Sequence, residues 1–295
     1  PEDILVSGGA RPLIYAVYRT LIDPGDLVLF PVPSWNNNHY CHLSGATPVP
    51  LEVGPEQNFM PLAADIKPHI GDATLIALCS PQNPTGTVFT REALLDIADL
   101  VVMENKKREG KKKPVYLMYD QIYWELCFGN TEHFHPVQLI PEIRPYVLSI
   151  DGMSKAFAAT GIRVGWAFGP NAIMAKMRAI LSHVGAWAPK PEQVATSWFL
   201  NQENEVDDYL NWFKPEVHER LQKLYEGILH LKQEGFPIDC IHPQAAIYLT
   251  VRCPWKGLKN SDGILKSQNE VTQYLLGNCQ LAFVPFKSFG ASEES

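Results

Sequence analysis

The chain has 295 residues, enough for one large domain or two. Its 46% hydrophobic and 11% aromatic content suits a sizeable packed core and excludes a disordered polymer. Lys and Arg number 25 against 32 Asp and Glu, a net charge of -7, which argues against a nucleic-acid surface.

No run approaches the ~18 apolar residues of a membrane span, and no secretory signal pattern opens the sequence. Six cysteines (Cys41, Cys79, Cys127, Cys240, Cys253 and Cys279) are scattered without a C-x-x-C pair. That is the usage of a reducing compartment, and a cytoplasmic location is expected. The first residue is Pro1 and the first apolar segment follows almost at once, so a piece of a longer polypeptide is expected, cut at the front and at the back. The basic run of Lys106, Lys107, Arg108 and Lys111 to Lys113 follows a helical pattern and precedes a strand, so it is expected to be a solvated helix end and loop.

In chain order, residues 3–7 form a short strand, and Gly8-Gly9-Ala10-Arg11 a nearly Cβ-free turn. A helix follows with Leu13, Ile14, Val17 and Leu21 on one face. A glycine turn opening a helix points unpaired N–H groups at one spot and suits a phosphate. Residues 27–30 form a buried strand stopped by Pro31 and Pro33; Ser34 caps a helix that carries Trp35 and runs to Ser44. A strand over 47–53, a helix over 62–70 and a continuously apolar strand over 74–79 come next. Ser80-Pro81-Gln82-Asn83-Pro84-Thr85-Gly86 is a rigid loop presenting Asn83. Thr90 caps a helix reaching Arg108. A strand over 115–119 leads into Asp120-Gln121-Ile122-Tyr123, where Asp120 either faces a ligand crevice or caps a helix.

An apolar strand over 146–150 precedes Ser154-Lys155 and a small-residue loop; Gly161-Ile162-Arg163-Val164-Gly165 enters another strand over 164–168. A lysine at a strand end in apolar surroundings has its pKa lowered and becomes a nucleophile for a carbonyl. Arg163 is eight residues further on, close enough to fix an anionic group of the same ligand. The alternation of strands and helices continues to about residue 181 and predicts an α/β fold: a mostly parallel sheet with helices on both faces. Ala188 to Pro191 breaks the chain. Beyond it, a long helical stretch over 203–234, interrupted or kinked near Pro215, strands over 246–251 and 281–285, and a helix over 267–276 predict a smaller C-terminal α+β domain. The expected division is 1–212 and 213–295.

The glycine turn, Trp35, Asn83-Pro84-Thr85-Gly86, Asp120-x-x-Tyr123, and Ser154-Lys155 followed by Gly161-x-Arg163-x-Gly165, in this order over essentially the whole chain, resemble the class I and II aminotransferases, pyridoxal-phosphate enzymes of fold type I. The resemblance implies that Lys155 binds the cofactor aldehyde and then carries the proton between substrate and cofactor. It implies that Asp120 pairs with the pyridinium nitrogen, that Asn83 and Tyr123 bond the ring's phenolic oxygen, and that Trp35 stacks on the ring. Arg163 and the backbone N–H groups of Gly9, Ala10 and Arg11 are then expected to hold the phosphate.

Gly152 stands where many relatives have a phosphate-bonding serine, and Ala245 where the small-domain motif often has glycine. The arginine that binds the substrate α-carboxylate is expected beyond Ser295. The implied reaction moves an amino group between an amino acid and a 2-oxo acid in a homodimer, with no nucleic acid or membrane as partner. Two other activities share this fold: a β-lyase or related elimination enzyme, and a non-catalytic sensor domain of a transcription regulator. A nicotinamide-dependent dehydrogenase lacks its G-x-G-x-x-G turn here.

Overall fold

The computed structural model describes residues 2–260 and 263–292. Its centre is a seven-stranded sheet in the order β1-β7-β6-β5-β4-β2-β3. The strands are β1 (Ile4–Ser7), β2 (Leu27–Val32), β3 (Thr47–Glu52), β4 (Ala73–Cys79), β5 (Tyr116–Asp120), β6 (Val147–Gly152) and β7 (Gly165–Phe168). Only β7 runs against its neighbours β1 and β6; the other pairs are parallel. The apolar runs of β4, β5 and β6 are continuous because helices cover both faces.

Helices α1 (Ala10–Leu21), α2 (Asn37–Ser44), α3 (Ala63–Ile66), α4 (Arg91–Arg108), α5 (Pro136–Leu139) and α6 (Met153–Ala156) fall between the strands, and α7 (Asn171–Val184) follows β7. On one side, Leu13, Ile14, Val17 and Leu21 of α1 meet Met174, Met177 and Leu181 of α7 and the inward residues of the sheet. On the other, Leu94, Ile97, Ala98 and Val101 of α4 pack against Ile76, Leu78, Leu117 and Tyr119. Thr90 caps α4 as expected, its Oγ1 accepting from the Ala93 N–H at 3.2 Å.

Several expectations are corrected. Trp35 is not helical: α2 starts at Asn37 behind a left-handed Asn36, and Ser34 Oγ accepts from the Asn37 side chain at 3.2 Å instead of capping the backbone. The helix expected over 62–70 shrinks to α3 because turns take over after Ile66. Arg108 is not solvated: its guanidinium is buried and donates to the carbonyls of Ala73 at 2.8 Å and Lys113 at 2.9 Å, and to that of Ile70, tying α4 to the starts of β4 and β5.

Past the break at Ala188, α8 (Lys190–Leu200) is an element the sequence reading lacked, and α9 (Glu203–Gln233) runs for 31 residues through Pro215 without the interruption expected there. The remainder holds short strand pairs, β8 (Asp239–Cys240) with β9 (Val251–Arg252) and β10 (Lys259–Asn260) with β11 (Gly263–Ile264), then α10 (Gln268–Cys279). The strand expected over 246–251 is reduced to β9, because residues 245–248 turn to lie against the Asn83 loop. Residues 281–285 form no strand.

The parallel strands β2, β4, β5 and β6 end at one edge of the sheet; Trp35, Asn83 and Lys155 follow such ends, and Asp120 is itself the last residue of β5. Three glycines close that edge. A Cβ on Gly165 would lie 2.6 Å from the Gly9 carbonyl carbon and 2.7 Å from the Ala10 nitrogen; one on Gly152 would lie 2.8 Å from the Gly165 Cα. Gly152 is therefore a packing requirement of this chain. Replacing it with serine is expected to lower stability by about 1–3 kcal/mol, as overpacking does, measured as a fall in the thermal unfolding midpoint.

Candidate active site

Lys155 lies in the single turn of α6, between β6 and the loop to β7. It is half-buried, and its ammonium stands 5.7 Å from the centre of the Tyr123 ring. Burial lowers its pKa, with the nearby Arg11 charge acting in the same direction and Asp120 opposing. Asp120, the last residue of β5, is deeply set, and burial pushes its carboxyl up to about 6 against the pull of the Ile122 N–H and of Lys155. That N–H donates to Asp120 Oδ1 at 3.1 Å, so the residue caps its loop as well as facing the crevice. Among the described residues no cation comes within ion-pair distance of it.

The Asn83 loop is seated by a distant segment. Ala245 N–H donates to the Gly86 carbonyl at 2.9 Å, and the Thr250 hydroxyl to the Thr85 carbonyl at 3.2 Å. Gly86, at φ 73°, admits no side chain there: a Cβ would meet the Ala245 oxygen at 2.9 Å and that of Tyr248 at 3.0 Å. The contact brings in Tyr248, a residue that sequence reasoning missed although the motif containing it had been noticed. Its hydroxyl shares a hydrogen bond with that of Tyr123, and the Asn83 side chain acts on it as well. Burial pushes the Tyr248 hydroxyl up to about 12 and the Tyr123 hydroxyl higher still, so both stay protonated.

At the other side, Arg163 sits in the left-handed region at φ 58°, its guanidinium donating to the carbonyls of Gly8 at 2.8 Å and Thr160 at 2.7 Å. It lies directly against Gly9. The Gly9 N–H is taken by the Ser7 carbonyl at 2.7 Å. Helix α1 has no capping side chain and no acidic residue in its first turn, so the N–H groups of Ala10 and Arg11 have no acceptor among the described residues. Trp35 leans on Phe289, 6.1 Å between ring centres, and carries the Arg11 guanidinium 5.2 Å over its ring.

Sequence reasoning also passed over Asp151. It is buried, accepts from the Trp124 indole N–H at 2.9 Å and the Gly152 N–H at 2.7 Å, and burial raises its pKa to about 7. Its apolar neighbours in the sequence mask it as an ordinary strand end.

This mostly parallel sheet, with a half-buried lysine and a buried carboxylate at its carboxyl edge, has the architecture of the fold type I pyridoxal-phosphate enzymes. The family model for aminotransferase class I and II matches residues 1–295. The aspartate aminotransferase of Bacillus sp. (strain YM-2) is 30% identical over 293 residues, which are 99% of this chain and 70% of that protein. A probable aspartate/prephenate aminotransferase of Rickettsia typhi is 30% identical over 293 residues, 98% of this chain and 70% of that one. Among solved structures, the aspartate aminotransferase from Thermus thermophilus with maleate matches at a TM-score of 0.84 and 26% identity, over 100% of this chain and 73% of that one. The enzyme from Rhizobium meliloti shares the fold at a TM-score of 0.86 and 24% identity, over 99% of this chain and 70% of that one.

The chain belongs to the class I and II aminotransferase family. It is a pyridoxal-phosphate-dependent aminotransferase acting between an amino acid and a 2-oxo acid, and neither the lyase nor the sensor reading is favoured.

The raised pKa of Asp120 has a measurable sign. The folded carboxyl keeps its proton to about 6, against 3.8 for the free group, so its contribution to stability declines as pH rises through that window. In the cofactor-free protein, Asp120→Asn is expected to raise the unfolding midpoint above that window, by up to about 3 kcal/mol in stability, and to leave it unchanged below. Melting curves at the two pH values check this.

Proposed function

We propose that Lys155 is the residue that binds the cofactor aldehyde and moves the proton, with Asp120, Tyr123, Asn83, Trp35, Arg163 and the first turn of α1 as the cofactor's cradle. Three observations support this. Asp120 is a desolvated carboxylate with no ion-pair partner among the described residues, which suits a protonated pyridine nitrogen. The N–H groups of Ala10 and Arg11 lack acceptors beside the Arg163 guanidinium, which suits a phosphate. Tyr123 and Asn83 both converge with Tyr248 on one point, which suits a phenolic oxygen.

Pyridoxal phosphate supplies an aldehyde that captures amines and a ring that withdraws electrons from the substrate's Cα. The chain's own residues do the rest. Lys155, whose ammonium form is disfavoured by burial, would take the proton from the substrate Cα and deliver it to the cofactor carbon that had been the aldehyde. Asp120 holds the pyridine proton, and Tyr123 with Tyr248 donates toward the ring oxygen. Gly9 differs from the expectation in one respect: its N–H already serves Ser7, so its part is to let Arg163 approach.

The substrate class we infer is the dicarboxylic amino acids, supported by the aspartate aminotransferases among the relatives and by the neighbour bound to maleate. We also infer a homodimer. Trp198 is 64% exposed and Trp212 60% on α8 and α9, and Val184, Trp187 and Val194 are exposed as well, large apolar side chains of the kind a subunit interface covers. A division near residues 212 and 213 falls inside α9, which then links the large domain to the smaller one. A cytoplasmic location accords with six free cysteines, and no described helix is long and apolar enough to cross a membrane.

Borohydride reduction of the holoenzyme is expected to fix the cofactor on the peptide containing Lys155, identified by mass spectrometry. Lys155→Ala is expected to abolish that adduct and to cut transamination by at least about 10²–10⁴-fold; an adduct on another lysine would overturn the assignment. Sedimentation equilibrium is expected to give twice the mass of one chain, and Trp198→Glu with Trp212→Glu to shift it toward one.

A further inference from the structure

We infer that Asp151 is a positioning residue for the reaction: its buried carboxyl fastens the loop that carries Asp120 and Tyr123 to the strand end that leads into Lys155. The role builds on the cofactor site proposed above, and Asp151 itself lies behind that site.

The strand register sets its place. β5 and β6 run parallel and Asp120 pairs with Ile150, so Gln121 and Asp151 come next, side by side. The Gln121 N–H donates to the Ile150 carbonyl at 2.9 Å and carries the pairing one step further. Successive side chains of a strand face opposite sides. Met118, Leu148 and Ile150 belong to the α1 side of the core, and Leu117, Tyr119 and Val147 to the α4 side. Asp120 continues the first row and Asp151 the second. The two carboxyls therefore stand at the same edge on opposite faces of the sheet.

On its face Asp151 joins two segments. Its Oδ1 accepts from the Gly152 N–H at 2.7 Å, on the strand end three residues before Lys155. Its Oδ2 accepts from the Trp124 indole N–H at 2.9 Å, on the loop one residue after Tyr123. Gln121, at the head of the same loop, acts on the same carboxyl, and its own Oε1 is buried without a donor.

No ion pair accounts for a carboxyl at this depth. Asp151 is 5% exposed, and among the described residues no cation comes within ion-pair distance of it. The ring of His133 lies 6.1 Å from that of Trp124, and His135 is bonded to Ser149 on the same row of β6. Burial lowers the pKa of both histidines to about 4, so neither supplies a charge. Burial, helped by the Asp120 charge, pushes Asp151 itself up to about 7. A buried polar group costs stability unless its hydrogen bonds are made. The bonds that Asp151 makes are those that fix the loop between Asp120 and Tyr123. Without it, Trp124 and Gln121 lose their shared partner and that loop is released.

The experiment compares the wild-type chain with Asp151→Leu, Asp151→Asn and Trp124→Phe, below all four melting transitions. Amide hydrogen exchange over residues 121–124 is followed in the cofactor-free proteins. The holoenzymes give kcat at saturating pyridoxal phosphate and the Kd of the cofactor. Asp151→Leu is expected to speed exchange over 121–124 and to lower kcat about 10²-fold, the effect of a displacement of order 1 Å at the reacting atoms. Trp124→Phe is expected to move both in the same direction. Asp151→Asn keeps an oxygen for the Trp124 indole, so a much smaller change in both is expected. A loss in Asp151→Asn as large as in Asp151→Leu would assign the charge and not the hydrogen bonds, and overturn the inference. Faster exchange with kcat and cofactor affinity unchanged would leave Asp151 a structural role only, which also overturns it. If Asp151→Leu does not fold, Trp124→Phe decides, and an unchanged kcat overturns the inference. The exchange is read without cofactor and the borohydride adduct identifies the reacting lysine separately, so a wrong assignment of Lys155 and a wrong role for Asp151 give different results.

Discussion

Backbone meeting backbone at Gly9, Gly152 and Gly165 is the contact on which the rest of the site depends. A Cβ on Gly165 would come within 2.6 Å of the Gly9 carbonyl carbon, so the end of β6, the start of β7 and the turn into α1 touch without side chains between them. The consequence is positional. Lys155 starts three residues after Gly152, Arg163 ends two before Gly165, and α1 begins at Ala10. One close approach therefore sets an amine, a guanidinium and a helix N-terminus side by side, from strands that are far apart in sequence. Side-chain packing elsewhere, with Leu13 and Val17 of α1 wholly buried against the sheet, holds that approach in place.

The electrostatics built on this frame move two groups away from their ordinary states. Asp120 is a buried carboxylate with one backbone donor, and Lys155 is an amine whose charge is disfavoured by burial and by Arg11. Under the proposed assignment, a protonatable ring nitrogen would suit the one group and a carbonyl the other. Such stored imbalance is ordinary at functional sites, where groups are kept in states they would not choose in water. The tyrosine pair Tyr123 and Tyr248 works in the opposite sense. Burial holds both hydroxyls protonated, so they act as fixed donors and relays.

The Asn83 loop shows how the smaller C-terminal part is joined to the chemistry. Gly86 accepts the backbone of residues 245–248 at van der Waals range, and hydrogen bonds from Ala245 and Thr250 clamp the loop. Ala245 is fully buried at this contact. Any movement of the C-terminal part against the sheet acts on Asn83 and Tyr248 together, since the same segment seats one and carries the other.

The amino-acid sequence by itself determined the parts governed by local rules. Continuous apolar runs mark β4, β5 and β6 because a strand covered on both faces has no polar side to display. Thr90 marks the start of α4 because its hydroxyl serves a neighbouring N–H. The Gly-rich turn, Asn83, Asp120 and Lys155 were legible because each follows a strand end, where the sheet itself aims residues into a common crevice. The family resemblance then suggested the role proposed for each. Only the tertiary structure decided the pairings across long separations: Tyr248 against Tyr123, Arg108 under the carbonyls of Ile70 and Ala73, Arg11 over Trp35. It also reduced the strand expected over 246–251 to β9, because residues 245–248 are held against the Asn83 loop. The physical reason is the same in each case. A hydrogen bond or a ring contact depends on where two backbones come to lie, and nothing in the local order of either segment carries that distance.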